Sequence, residues 1–268
     1  MNEAEQNPTP PPIDTRRPHP ARMYDYYLGG KDNYPVDSEA AERVMSLFPE
    51  IGTGARINRR FMNRACRLLA ERGIRQFLDV GTGIPTAPNL HQVVQEVAPS
   101  ARVVYVDNDP IVLRHAEALL HSTPEGLTGY IQADAREPEK IIEGAKEILD
   151  LDQPVALSMV ALLHFLSDEH RPHDLVKSLL DALPSGSHLV LSHVTGDFDP
   201  ETWQKIVGIY RDSGVPAQVR SRAEFTRFFE GLELLEPGIQ VATDWHPEPG
   251  DQKPPSPVPL YVGVARKP

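Results

Sequence analysis

From residue 76 onward, short apolar runs alternate with segments whose apolar residues recur at helical spacing. Residues 76–80 (Gln-Phe-Leu-Asp-Val) read as a first strand, and 81–85 (Gly-Thr-Gly-Ile-Pro) as a turn. Leu90, Val93, Val94 and Val97 then fall at i, i+3, i+4 and i+7, one face of a helix. Residues 102–106 form a second strand, 110–121 a second helix and 130–133 a weaker third strand. A helix near 139–149, a strand at 155–159, a helix marked by Leu175, Leu179 and Leu183, and a fifth strand at 188–192 follow. Beyond residue 200 two more helices are predicted. The second opens on the capping box Ser221-Arg-Ala-Glu224 and buries Phe225, Phe228, Phe229 and Leu232. Residues 239–243 and 260–265 close the chain as strands. Alternation of this kind predicts βαβ units, a parallel sheet and right-handed crossovers with helices on both faces.

The first quarter of the chain has a different texture. Residues 1–20 are polar and proline-rich and predict a disordered leader. Residues 21–73 predict a helical cap or lid, and 74–268 the main domain. Within the cap, Asp37 is placed to start a helix running to about Leu47, and 58–71 reads as another, with Phe61, Ala65, Leu68 and Leu69 on one side. Between them and the leader, residues 23–34 carry Tyr24, Tyr26, Tyr27 and Tyr34 around the pair Gly29-Gly30. These rings either form a lid over a ligand or pack the N-terminal helices onto the domain.

Composition narrows the class. The 268 residues fit one large α/β domain or two small ones, and 40% apolar content is a normal load for a core. Proline is about twice its ~5% average. Six of the 27 prolines lie in 8–20 and six in 247–259, so the excess belongs to two short segments. No apolar run approaches the ~18 residues of a membrane span, and the start lacks a signal-peptide pattern. The single cysteine, Cys66, excludes an internal disulfide and a cysteine metal cluster. A cytoplasmic location is the expectation.

The net charge of −11 makes non-specific nucleic-acid binding unfavourable, since phosphate neutralisation needs Lys and Arg. Basic residues are concentrated in 16–75, with 12 basic against 7 acidic side chains, a stretch able to contact an anion or a ligand carboxylate.

Candidate chemistry sits at the strand ends. The D-x-G-x-G pattern of Asp79, Gly81 and Gly83 lets backbone pass close to a ligand. It lacks the third glycine of a dinucleotide loop, and a carboxylate there would repel a pyrophosphate but suit a ligand ammonium, which argues against an NAD-dependent oxidoreductase. Asp107 ends the second strand, where an acid can accept hydrogen bonds from a ribose diol. Asp109 precedes Pro110 and reads as a helix N-cap. Asp134 ends the third strand, placed either to accept from an adenine amino group or to cap the next turn.

On these residues the chain resembles class I S-adenosylmethionine-dependent methyltransferases over about 75–268. Gly81, Gly83 and Asp79 match the glycine-rich motif, Asp107 the ribose acid, Asp134 the adenine-side acid, residues 158–165 the segment after strand four, and 183–191 the loop into strand five. More narrowly it resembles the actinobacterial S-adenosyl methyltransferase family once described only as a domain of unknown function. Residues 21–34 and 56–61 and the run 79–86 carry that likeness over nearly the whole chain.

The resemblance implies a Rossmann-like α/β fold with a seven-stranded sheet ordered 3-2-1-4-5-7-6, the last strand antiparallel, and S-adenosylmethionine as cofactor. It implies cofactor contacts from Asp79, Gly81, Thr82, Gly83, Asp107 and Asn108, and from Asp134, Ala135 and Ser158. Tyr26 and Arg59 are the expected contributions of the N-terminal part. Pro85, expected at the first position of the following helix, removes one backbone donor, so the cofactor carboxylate is expected to lean on Arg59, Arg56 or Lys31.

The implied reaction is displacement of a methyl group from a sulfonium, on a small-molecule acceptor. His164 after strand four and His193 at the end of strand five are the candidate bases, or else packing histidines. A non-catalytic S-adenosylmethionine-binding regulatory protein would carry the same cofactor motifs, and a homodimer is left open. If the last two strands pair, the proline segment 247–259 connects them on the ligand side, with Trp245 and His246 at its root.

Overall fold

The computed structural model describes residues 14–119, 121–249, 251 and 254–268. Most of the expected leader, residues 1–13, lies outside the described residues. Residues 14–20 do not behave as a leader, for Arg17, Pro18, His19 and Pro20 line the cavity described below.

Five strands, β1 (Gln76–Val80), β2 (Arg102–Asp107), β3 (Leu127–Gln132), β4 (Ala156–Met159) and β5 (His188–Val194), are parallel. β8 (Leu260–Arg266) pairs antiparallel with β5 along its whole length, from His188 opposite Arg266 to Val194 opposite Leu260. Two short strands, β6 (Glu233–Leu234) and β7 (Gln240–Val241), both pair antiparallel with β8 and so run with the first five. The order is β3-β2-β1-β4-β5-β8-β6, the sheet expected from the resemblance once β6 and β7 are taken as one interrupted strand. The interruption is visible in register: Leu234 faces Ala265, but Gln240 faces Val262, so the edge chain bulges outward by three residues in between. Such bulges blunt an edge that would otherwise template further pairing.

The reversal of strand order between β1 and β4 opens a crevice at the carboxyl ends of the strands, where ligands of open α/β sheets bind. On one face, α3 (Ile51–Glu71) and α4 (Leu90–Val97) enclose a core containing Phe61, Leu69, Phe77, Val94, Val103 and Trp245. The other face packs on α6 (Pro138–Ala145), α7 (Pro172–Asp181) and the phenylalanines after α9 (Arg222–Thr226). α5 (Pro110–Leu119) contacts β2 and β3. A third apolar cluster joins α1 (Pro20–Leu28), α2 (Pro35–Leu47) and α8 (Pro200–Asp212), through Met23, Tyr27, Ala41, Val44, Trp203 and Ile206.

Local expectations are corrected in three places. α3 begins at Ile51, seven residues before its expected start, because its apolar face continues through Ala55 into the α1–α2 layer. Asp37 is the third residue of α2 and not its cap: its carboxylate accepts from the Tyr34 N–H at 2.9 Å, the return half of a capping box. Pro85 does not open a helix. With Pro88 it holds residues 84–88 as a loop, since a residue preceding proline is driven out of the helical region, and α4 starts only at Leu90 under an Asn89/Gln92 capping box.

The N-terminal helices are fastened to the sheet by a buried ionic cluster. The Arg22 guanidinium, 3% exposed, donates from Nε to Asp109 at 2.8 Å, lies 3.9 Å from Asp37 and covers the Tyr34 ring at 5.3 Å. His19 adds an Nδ1 contact to Asp109 at 3.3 Å, and its backbone N–H bonds Asp37. A buried carboxylate that loses its partner is costly, about 3–5 kcal/mol. Arg22→Ala is therefore expected to lower unfolding free energy by about that amount in denaturant titration; a loss well under 1 kcal/mol would show that the cluster does not hold the cap.

Candidate cofactor site

Three acids stand at three successive strand ends. Asp79 is the penultimate residue of β1, Asp107 the last of β2, and Asp134 lies two residues beyond β3. All three line one cavity of about 430 Å³, together with Gly81, Thr82, Gly83, Asn108 and Ala135. Neighbouring parallel strands end level with one another, so residues of like position converge on one rim.

Each acid is held differently. Asp79 is buried and accepts from the Thr82 hydroxyl at 3.1 Å. Burial pushes its pKa up to about 6, against the opposing effects of the adjacent Ser158 and Thr82 hydroxyls and the Arg59 charge. Asp107 accepts from the Gly83 N–H at 2.8 Å through one oxygen and from the Asp109 N–H at 2.9 Å through the other. Burial raises it too, while those two backbone bonds pull it down. Asp134 is gripped by Arg136 through Nε at 2.8 Å and Nη2 at 2.7 Å, and by the Asn108 amide at 3.1 Å. The Arg136 hydrogen bonds bring it down to about 2. Its bond from the Arg136 backbone N–H, at 2.9 Å, also makes it the turn cap. Asp134 is thus the turn cap and at the same time part of the cavity wall.

The glycines are needed where they stand. Gly81 and Gly83 have φ of 77° and 69°, a region unfavourable for residues with a Cβ. A Cβ on Gly81 would also meet the Leu162 side chain at 2.7 Å. At Gly83 nothing lies within 4 Å, so its backbone is open to an approaching ligand.

Of the three cations expected near the loop, Arg59 lines the cavity, whereas Arg56 and Lys31 do not. Its Nη2 donates to the carbonyls of Thr86 and Pro88, which pins the proline loop. Its Nε and Nη1 make no hydrogen bond among the described residues.

Several expected residues fall elsewhere. Ser158 faces Asp79 in the β1–β4 register and is fully buried, behind the cavity wall. Tyr26 turns away to α2, where its hydroxyl donates to Glu42 at 2.8 Å; Tyr24, a neighbour on α1, lines the cavity instead. His193 is 1% exposed and lines neither the larger cavity nor the apolar one described below: its Nδ1 donates to the Val194 carbonyl at 2.7 Å, and its Nε2 accepts from buried Arg220 at 2.8 Å. A ring with both nitrogens engaged has no free position for a substrate proton, so burial and hydrogen bonding give it a structural place. His164 lies against a second, apolar cavity of about 80 Å³. Burial and the Arg220 charge push its pKa down to about 3.

Among the residues that sequence reasoning missed, His19, Asn58 and Met62 of the N-terminal part line the larger cavity, as does Tyr24, one of the four rings offered as a lid. Asn58 carried a usable signal: it is an amide three residues before Phe61 on the buried face of α3, where an apolar residue is the rule. The end of the proline segment, Val258 and Pro259, lines the apolar cavity, while Glu248 and Asp251 are tied to Arg67, Arg60 and Arg64 of α3.

The cavity's donors and acceptors fit S-adenosylmethionine. Acidic groups suit an ammonium, a sulfonium, ribose hydroxyls and an adenine amino group, and a guanidinium suits its carboxylate. A family profile described as S-adenosyl methyltransferase matches residues 6–268. Among solved structures, a DUF574 family protein from Streptomyces avermitilis is 48% identical, over 96% of this chain and 100% of that one, with a TM-score of 0.93. A candidate methyltransferase from Thermobifida fusca is 39% identical over 96% and 98%, with a TM-score of 0.87. A SAM-dependent methyltransferase from Anabaena variabilis, 18% identical over 72% and 77% with a TM-score of 0.50, shares the fold. No match was found among the curated proteins. With sheet order, strand-end acids and a profile spanning almost every residue in agreement, the chain belongs to the S-adenosyl methyltransferase family, enzymes whose methyl donor is S-adenosylmethionine.

Proposed function

We propose that the larger cavity is where this methyltransferase holds S-adenosylmethionine, and that its methyl acceptor is a small molecule admitted beneath the N-terminal helices. The observation that carries this reading is the convergence of Asp79, Asp107 and Asp134 with the Gly81–Gly83 loop on one cavity. When bound, the cofactor supplies an electrophilic methyl group on a sulfonium.

The chain's own residues then divide the binding. Asp107 accepts from the ribose hydroxyls, its position fixed in advance by the Gly83 and Asp109 N–H groups. Asp79 faces the ammonium, and Arg59 offers its free guanidinium nitrogens to the carboxylate. Asp134, Asn108 and Ala135 form the adenine-side wall. Tyr24 takes the place assigned in the sequence reading to Tyr26. Residues 21–50 act as the cap over this cavity, while α3 also builds the core of the domain beneath it. A roof of this kind, on a chain of net charge −11, suits a small molecule better than a nucleic acid.

His164 serves as a neutral hydrogen-bonding group. A ring whose conjugate acid has a pKa near 3 takes up little proton at neutral pH, so it orients an acceptor and does not deprotonate it. Rate enhancement then comes chiefly from holding the two reactants in line.

Two results test the assignment. Asp107→Ala is expected to weaken S-adenosylhomocysteine binding by about 1.5–3 kcal/mol in titration calorimetry, the scale of a hydrogen bond to a charged group; unchanged affinity would remove the ribose role. The second is a pH dependence. Burial raises the Asp79 pKa to about 6, so the carboxylate is mostly ionised at pH 7 and mostly protonated at pH 5. A ligand amine with a pKa of about 8 remains charged across that range. Affinity for S-adenosylhomocysteine should therefore fall about tenfold as pH drops from 7 to 5, and an affinity independent of pH would dissociate Asp79 from the ammonium.

A further inference from the structure

The apolar cavity adjoins the larger one: Pro20, Tyr24, Asn58, Ala161 and Phe165 line both. Its walls include the rings of Tyr24, Tyr27, Phe48, Phe165, Trp203 and Tyr210, brought together from α1, the end of α2, α8 and the segment after β4. Among the described residues that line it there is no Asp, Glu, Lys or Arg. The Tyr27 and Tyr210 hydroxyls bond each other at 3.0 Å, and burial raises both pKa values, Tyr210 to about 12, so neither phenol brings a charge.

Two polar atoms in this wall are left over. The Tyr24 hydroxyl donates to the Ala55 carbonyl at 3.0 Å and accepts from the Asn58 amide nitrogen at 3.1 Å. That leaves Asn58 Oδ1, on a side chain 2% exposed, buried without a partner. His164 Nδ1 is likewise buried without a partner. Unsatisfied buried acceptors are rare because each costs about 1–3 kcal/mol. Two of them on residues that line a largely apolar chamber mark where a ligand's polar group belongs.

We infer that this chamber is the acceptor subsite, and that it takes a neutral, single-ring aromatic molecule bearing a hydroxyl or amino group that donates to Asn58 Oδ1. The inference rests on the larger cavity being the cofactor site, since Asn58 and Tyr24 stand at the junction of the two. Size limits the occupant. At about 80 Å³ the chamber is smaller than the ~150 Å³ of an apolar cavity known to admit benzene, so the occupant is limited to a single ring that shares the space at the junction. Charge limits it further, because an ionised carboxylate would be desolvated here with no cation to meet it.

The test uses the full chain, with phenol, benzene and benzoate as probes, each with and without S-adenosylhomocysteine. Trp203 lines the chamber whereas Trp245 lies in the α3–sheet core, so quenching of tryptophan fluorescence reports occupancy, compared against a Trp245→Phe background. Phenol is expected to bind about tenfold or more tightly than benzoate, and more tightly than benzene. Asn58→Leu should erase the preference for phenol over benzene. Gly54→Leu should abolish phenol binding by filling the chamber. Gly54 lines the chamber but not the larger cavity, and a Cβ there meets only Val258, at 3.8 Å, so S-adenosylhomocysteine affinity should be unchanged. Intact phenol binding in Gly54→Leu, or equal affinity for phenol and benzoate while S-adenosylhomocysteine still binds, would overturn the subsite. Phenol binding without any S-adenosylhomocysteine binding would instead overturn the cofactor reading, and the acceptor role with it.

Discussion

The site depends on a chain of polar contacts that starts at one buried arginine. Arg22 of α1 bonds Asp109, whose backbone N–H bonds Asp107, whose other oxygen accepts from Gly83. Asp109 also accepts from Ile111 N–H at 3.1 Å and so starts α5. A single residue, Asp109, thus caps α5 and anchors the N-terminal cap through its carboxylate, and orients the acid at the end of β2 through its backbone N–H. Asp37 closes the other side of the same arginine and fixes the turn into α2. Removing the arginine would leave two carboxylates desolvated, which is why the contact has structural leverage far beyond its own strength.

The same low-polarity surroundings prepare the cavity for a cation. Asp79 and Asp107 are both raised by burial, a state that costs the empty protein free energy. A positively charged ligand recovers part of that cost when it arrives. Asp134 is the exception because Arg136 already neutralises it. The cavity is therefore graded from acids raised by burial near β1 and β2 to a balanced pair near β3.

Arg220 plays the corresponding part on the apolar side. Its guanidinium donates to the carbonyls of Leu163 at 3.0 Å and Leu166 at 2.9 Å, to His193 Nε2 and to Asp168. These bonds hold the turn that carries His164 and Phe165 against the chamber. Burial, with the charge that secures the turn added to it, keeps His164 neutral, so packing and electrostatics in this region favour recognition over proton transfer.

Much of this was legible in the chain. β1 matches its sequence reading residue for residue, and the acids at 79, 107 and 134 fall at strand ends because apolar runs of four to six residues followed by a carboxylate and a turn have few other solutions in a parallel sheet. Periodicity is a local property, and it suffices wherever an element buries one face against its sequence neighbours. It fails where the partner is remote. Nothing near Arg22 announces Asp109, 87 residues away, and nothing near His193 announces Arg220. Tyr24 and Tyr26 are equivalent by composition, yet their positions on α1 send one to the cavity and the other to Glu42. The proline-rich stretch hid His19 and Pro20 because its composition favours disorder unless a buried acid receives its backbone, as Asp37 does. The sequence by itself determined the sheet, the glycine loop and the chemical type of the site. Only tertiary structure decided which side chains reach the ligand, because reach is set by the burial and pairing of charges brought together from opposite ends of the chain.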